Sequence, residues 1–310
     1  MLQDENHASP PPSPRLRFPV PAFPNLNRRQ FLARLGVVSA GVALAPGLLA
    51  DEPVPLDRNF VMLFADTHCG PQAKYQATAL RRCVSETLAC NPRPANVLIY
   101  GDFAYLHGKV EDYMLLKELL KPLDDAGIHW EALHGNHDRR DTFAEVFPAR
   151  ASSLVESRKV TVVETPQADF LMMDSLVEGE VGGAFNDAQR DWLNETLKNR
   201  SKPVFVGAHH ALAETKVADI MMDKPGAVGY LHGHHHCWQT NVVAGTKQLT
   251  LPSTGHWGDI GLVTLRLDGR GATFNLHMHD YYTPRPAAEP NPEWQAIVEK
   301  KQGHTWRINF

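Results

Sequence analysis

Cysteine is scarce: four in 310 residues, at Cys69, Cys83, Cys90 and Cys237. None of them stands in the C-x-x-C spacing of a thiolate metal site. Cys83 and Cys90 lie seven apart on an expected helix, so they share a face and read as buried apolar residues. The chain also lacks an internal repeat, and no apolar run long enough for a membrane span occurs after residue 50. Excess positive charge is missing as well, with 31 basic against 35 acidic side chains. What is present, 43% hydrophobic and 21% charged residues, is ordinary globular composition. The length accommodates one large α/β core of about 250 residues or two smaller ones.

The first fifty residues differ from the rest. "ASPPPSPRLRFPVPAFP" is proline-rich, and "NRRQFLARLGVVSAGVALAPGLLA" follows it. Arg28 and Arg29, then Gln30, Phe31 and Leu32, then a weakly apolar Gly/Ala/Val run, resemble a twin-arginine export signal. Pro46–Gly47 interrupts that run, too short for a span of about 20 residues. The resemblance implies handling by the twin-arginine machinery, cleavage near Ala50 and a periplasmic or extracellular destination, with membrane attachment only if the signal stays. An exported chain permits a disulfide, which spacing does not establish. Removing residues 1–50 takes five basic and two acidic residues from 31 and 35, leaving 26 and 33, a net charge of −7. That balance disfavours nucleic acid as a bulk partner.

From residue 58 to 283 short apolar runs alternate with amphipathic stretches. "NFVMLFADTH" (59–68), "ANVLIYGD" (95–102), "HWEALHGNHD" (129–138), "KPVFVGAHH" (202–210) and "VGYLHGHHH" (228–236) each begin as a buried strand and end in Asp, Asn or His. Helices are expected over "EDYMLLKELLKPLDDAG", closed by Gly127, and "NDAQRDWLNETLKNR", capped by Asn186 or Asp187. Further strands are expected near 160–174 and 240–279, with a turn at "DGRG" (268–271). The tail from 284 to 310 reads as a proline-rich linker and a short helix without a chemical motif. The whole predicts a layered α/β domain of mixed sheets with helices outside. In such folds ligands gather at the carboxyl ends of strands, where the five polar bursts fall.

The bursts offer carboxylates (Asp66, Asp102), an amide oxygen (Asn136) and imidazoles (His68, His209, His234, His236), with His137 left over. Asp66 and His68, like His234 and His236, are two apart, which on a strand puts both side chains on one face. A carboxylate can bridge two cations about 3.5–4 Å apart. Mixed nitrogen and oxygen donors without thiolate suit Fe, Mn, Zn or Co.

In order, Asp66-Thr-His68, Gly101-Asp102, Gly135-Asn136-His137-Asp138, His209-His210 and Gly233-His234-His235-His236 resemble the calcineurin-like metallophosphoesterase family. The resemblance implies a four-layer α/β/β/α sandwich and two metal ions. Asp66, His68, Asp102 and His236 would hold the first; Asp102, Asn136, His209 and His234 the second. His232 and His235 would be bystanders. The implied chemistry is in-line attack of a metal-bridging hydroxide on a small phosphate mono- or diester, with His137 protonating the leaving oxygen. The D-x-H start and "FNDAQRDWL" favour a cyclic-nucleotide-phosphodiesterase-like activity, although Ala211 stands where many such enzymes have proline. Tyr105, three after Asp102, and Val206, three before His209, resemble purple acid phosphatases, whose tyrosine binds ferric iron. With His68 present, Tyr105 reads as a packed aromatic. A broad phosphomonoesterase, or a non-catalytic binding module on the same fold, are the competing expectations. Asp138 is read either as orienting His137 or as capping the next helix. His256 and Trp257 read as part of a glycine-bounded loop, and Cys69 and Cys237 as packing behind the ligands.

Overall fold

The computed structural model describes residues 54–283 and 291–310. Arg28, Arg29 and the apolar run after them lie outside the described residues, as does the start of the tail. None of the described helices is long and apolar enough to cross a membrane.

The sandwich is built by strands that are apolar on both faces. In β1 (Leu56–Phe64), Phe60, Met62 and Phe64 join one core cluster, whereas Val61 and Leu63 join another. Alternate residues of a strand point to opposite faces, so β1 must be covered on both. In β2 (Arg93–Tyr100), Val97 and Ile99 face the first cluster, while Leu98 and Tyr100 face the second. Helices α1 (Lys74–Ala89), α2 (Val110–Asp125) and α3 (Arg140–Val146) cover the outer side with Leu80, Leu116, Leu120 and Phe143. The crossovers through α1 and α2 make β1, β2 and β3 (His129–Leu133) parallel.

The second sheet repeats the device. In β6 (Val204–Gly207), Phe205 points into the cluster between the sheets, and Val204 and Val206 point to the outer cluster. That outer cluster is closed by Leu193 and Leu197 of α4 (Asp187–Lys198), with α5 (Leu212–Thr215) and α6 (Ala218–Met222) beside it. Asn186 is the cap of α4, its side chain accepting from the Gln189 amide at 2.9 Å while Gln189 reaches back at 3.3 Å. With β4 (Thr161–Glu164), β5 (Asp169–Met172), β7 (Ala227–His232), β8 (Gln239–Val243), β9 (Thr246–Thr250), β10 (Gly258–Asp268), β11 (Gly271–Tyr282) and β12 (Thr305–Asn309), the sheets run β12-β11-β10-β1-β2-β3 and β4-β5-β6-β7-β9-β8. The result is the four-layer α/β/β/α sandwich of two mixed sheets.

The tail is more than a linker and a helix. After α7 (Pro292–Lys301) the last residues form β12, paired antiparallel with β11 from Asn275↔Thr305 to Gly271↔Asn309. Ile308 is fully buried between the sheets, so the tail contributes to the core itself.

Candidate metal centre

β1, β2, β3, β6 and β7 all end at one rim, and the polar bursts follow their last residues. Strand alternation does not aim these side chains, contrary to the reading from spacing, because each strand stops short: β1 at Phe64, β2 at Tyr100, β6 at Gly207 and β7 at His232. The backbone instead turns into the left-handed region at Asp66 (φ 52°), His68 (42°), Asp102 (50°), His234 (67°) and His236 (50°). Non-glycine residues enter this region at a cost of about 1 kcal/mol each and cluster at functional sites. Gly101 (φ 79°) precedes Asp102, and a Cβ there would stand 2.5 Å from Nδ1 of His209, so the close approach needs glycine.

Local hydrogen bonds hold the strained turns. The amide of His234 donates to the Asp66 carboxylate at 3.1 and 3.2 Å, and the amide of His137 donates to Asp102 Oδ1 at 2.9 Å. Asp138 settles its two readings against both. Its buried carboxylate accepts from the amides of Phe103 (3.0 Å), Ala104 (3.1 Å) and Gly135 (2.9 Å) and from the Tyr113 hydroxyl (3.1 Å). It therefore ties the loop after β2 to the loop after β3; α3 is capped at Arg139 without a side-chain bond.

Asp66, His68, Asp102 and His236, all buried, converge with one donor atom each within 4.8 Å of the others. His236 Nε2 lies 3.2 Å from Asp66 Oδ1, and His68 Nε2 lies 3.6 Å from Asp102 Oδ2. His68 Nδ1 donates to the Tyr105 carbonyl at 3.2 Å, which points Nε2 inward. That Nε2 is buried without a hydrogen-bond partner, as a group awaiting a cation would be. The four thus form a candidate metal-binding cluster. Tyr105 enters through its backbone carbonyl, and its ring meets His256 edge-on at 6.4 Å.

A second group adjoins the first. His209 Nε2 stands 3.2 Å from Asp102 Oδ2 and 3.2 Å from Asn136 Oδ1, with His234 5.1 Å away ring to ring. Its Nδ1 donates to the Tyr100 carbonyl at 2.9 Å and lies 3.9 Å from Asp66 Oδ1. His210 is also near His209 and His234. Its Nδ1 already takes the Ser175 hydroxyl at 2.8 Å and its Nε2 donates to Val181 at 3.0 Å, so it offers no free donor atom. All seven residues singled out as ligands from the sequence therefore meet at one place. His232 bonds Thr250 at 2.9 Å and the Gly233 carbonyl at 2.9 Å, and His235 is exposed.

The charges suit a cation. Burial takes His68 down to about 3 and His234 to about 4, leaving neutral imidazoles at pH 7. Burial opposes ionisation of Asp66 and Asp102 too, but the surrounding imidazoles, His236 for Asp66 and His209 for Asp102, hold both below the ordinary carboxylate range. Burial likewise opposes the His209 imidazolium, yet Asp102 and Asp66 raise it to about 10. Two buried carboxylates in contact with imidazole nitrogens suit a divalent cation, and their negative charge is here partly compensated by a proton on His209.

His256 was missed as part of the site. Its ring stacks on His68 at 3.9 Å and 30°, and Gln76 holds its Nδ1 at 3.3 Å. Trp257 follows, 4.6 Å from the His236 ring. Four free cysteines are present among the described residues, with Cys69 buried and Cys237 half-buried.

The family model for calcineurin-like phosphoesterases matches residues 61–238. The chain belongs to this family. A probable cyclic nucleotide phosphodiesterase of Psychrobacter arcticus is 25% identical over 195 residues, 56% of this chain and 67% of that one. Another, from Psychrobacter sp. (strain PRwf-1), is 24% identical over 207 residues, 60% of this chain and 59% of the relative. Among solved structures, the purple acid phosphatase PPD1 of yellow lupin superposes with a TM-score of 0.55 at 12% identity. It covers 81% of this chain but only 53% of the lupin chain, so the phosphoesterase chain spans about half of that larger protein. GAP50 of Plasmodium, described as the anchor in the inner membrane complex, gives 0.51 at 10% identity, covering 81% and 88%. These two superpositions speak for the fold.

Proposed function

We propose that the chain is a two-metal phosphodiesterase acting on small diesters of the cyclic nucleotide kind. The observation that carries the reading is the position of Asp102 Oδ2, 3.6 Å from His68 Nε2 on one side and 3.2 Å from His209 Nε2 on the other. Asp66, His68 and His236 would complete one ligand set around it; Asn136, His209 and His234 the other. Bound there, Fe, Mn or Zn would neutralise phosphate oxygens and lower the pKa of water.

The chain's own groups do the rest. The amide of His137 fixes Asp102, while its ring Nδ1 donates to the Leu106 carbonyl at 3.0 Å. A carbonyl only accepts, so Nδ1 keeps its proton, and Nε2 is the atom free to take up a proton and hand it on to a leaving oxygen. The ring stands 4.9 Å from His68, beside the cluster and partly open to solvent. The two Psychrobacter relatives, named as probable cyclic nucleotide phosphodiesterases, support the diester assignment. Export through the twin-arginine route, suggested by Arg28–Arg29, belongs to the same proposal.

The test is metal analysis of purified protein followed by turnover of p-nitrophenyl phosphate, bis(p-nitrophenyl) phosphate and cyclic AMP with added Mn²⁺. Two metals per chain with turnover of the diesters is expected. Faster hydrolysis of the monoester than of either diester would move the assignment to a broad phosphomonoesterase. Metal bound with no turnover of any substrate would make the fold a binding module.

A further inference from the structure

Beside His236 the fold leaves a cavity of about 400 Å³, within the size range of small-molecule sites. His236 and its neighbours form one side, and the rest of the wall comes from chain segments beyond the stretch that the family model covers. Trp257 lies on the loop entering β10, Gly258 begins that strand, Tyr281 and Tyr282 end β11, and Lys301 ends α7.

Three features define what it could take. Trp257 keeps 43% of its surface exposed although its ring lies 4.6 Å from that of the buried candidate ligand His236. A large aromatic left open at the mouth of a site is a stacking platform, not a core residue. Tyr282 is fixed by stacking on Tyr75 at 5.3 Å and 25°, so its part of the wall is preset. Lastly, the cation in the wall is already used: Lys301 Nζ lies 2.8 and 2.7 Å from the two oxygens of Asp259, itself buried. That pair cancels its own charge, so the cavity offers aromatic faces and hydrogen-bonding edges without a free ion. A second phosphate or a carboxylate would find nothing to pair with.

We infer that this cavity holds the planar, uncharged ring of the substrate, the nucleobase of a nucleotide diester, stacked on Trp257 while the phosphate sits on the metal cluster. The inference rests on the phosphodiesterase reading and names the part of the substrate that selects for it. His236 links the two, since it belongs to both the cluster and the cavity wall.

Binding separates the inference from the activity. On Mn²⁺-loaded protein the dissociation constants of adenosine monophosphate and ribose 5-phosphate, which share a phosphate and differ by the base, are compared by calorimetry. The base is expected to tighten binding about tenfold, the low end of base–aromatic stacking. Trp257→Ala should erase that difference while leaving ribose 5-phosphate unchanged, and Trp257→Phe should keep most of it. In kinetics, Trp257→Ala should raise KM for cyclic AMP about tenfold with kcat within about twofold. Equal affinity for the two ligands, or a preference that survives Trp257→Ala, overturns the inference even in an active enzyme. A preference lost in Trp257→Ala in a protein that hydrolyses no diester upholds the cavity and overturns the activity instead.

Discussion

Asp138 makes the sharpest claim on stability, because neither role open to it in the sequence explains the bonds it makes. Its carboxylate accepts from three buried amides, those of Phe103, Ala104 and Gly135, and from the hydroxyl of buried Tyr113. Asp138→Ala leaves these four donors facing a small void that a single water cannot satisfy. At about 1 kcal/mol for each lost bond the cost is about 4 kcal/mol, and the desolvation of stranded amides keeps it from being less. For a domain of this size each kcal/mol moves Tm by about 3 °C, so a fall of about 12 °C is expected. Asp138→Asn keeps one carbonyl oxygen but turns an NH2 toward amides, and should lose about half as much. Thermal unfolding followed by circular dichroism reads both variants against the parent. A second reading comes from metal content, because the two loops that Asp138 joins carry Asp102 and Asn136. Loss of such support costs about 10–100-fold in metal affinity. A Tm within about 3 °C of the parent in Asp138→Ala, with metal affinity unchanged, would refute the idea that this carboxylate ties the two loops together.

His137→Ala should lower kcat by about 10²–10⁴. Metal content should stay at the parental level, since the bond from residue 137 to Asp102 comes from the backbone amide; loss of metal would show the ring to be a ligand. Metal binding should release a proton. His209, raised to about 10 between Asp102 and Asp66, is protonated at pH 7, whereas His68 and His234 are already neutral. Mn²⁺ affinity should therefore rise about tenfold per pH unit from about pH 7 to about pH 9, one proton being displaced; calorimetry in buffers of different ionisation enthalpy counts that proton, and a flat affinity contradicts the assignment of His209 as a ligand. Lys301→Met leaves buried Asp259 without its cation and should cost about 2 kcal/mol, less than a fully buried pair because Lys301 is partly exposed. Adding Asp259→Asn should recover part of that loss in urea unfolding, and a double variant no better than the single one would argue against the pair.

What could be read from the chain follows from the range of the interaction concerned. The alternation of Phe60, Met62 and Phe64 against Val61 and Leu63 is local, and it yields a strand covered on both faces wherever it occurs. Residue type is local too: carboxylate, amide and imidazole at five strand ends name a metal chemistry before any geometry is known. The rest depends on contacts made far along the chain. Three of the four donors that Asp138 meets are 25 to 35 residues away, Lys301 meets Asp259 over 42 residues, and β12 pairs with a strand that begins 34 residues earlier. His256 stacks on a ring 188 positions before it, and its glycine-rich surroundings describe a loop without saying what the loop lies on.

The direction of the candidate ligands is the instructive case, because their side chains converge although strand alternation does not aim them. A pleated strand sends residues two apart to one face but carries them about 6.6 Å along its axis. Asp66 and His68 in such a strand would sit side by side along the rim, and so would His234 and His236. Turning Asp66, His68, Asp102, His234 and His236 into the left-handed region folds the chain back on itself, so that His236 Nε2 comes within 3.2 Å of Asp66 and the Asp102 carboxylate meets both His68 and His209. The five unfavourable backbone angles are thus the means by which short loops at separate strand ends bring their donors to a common point. The bonds from His234 to Asp66 and from His137 to Asp102 help offset their cost.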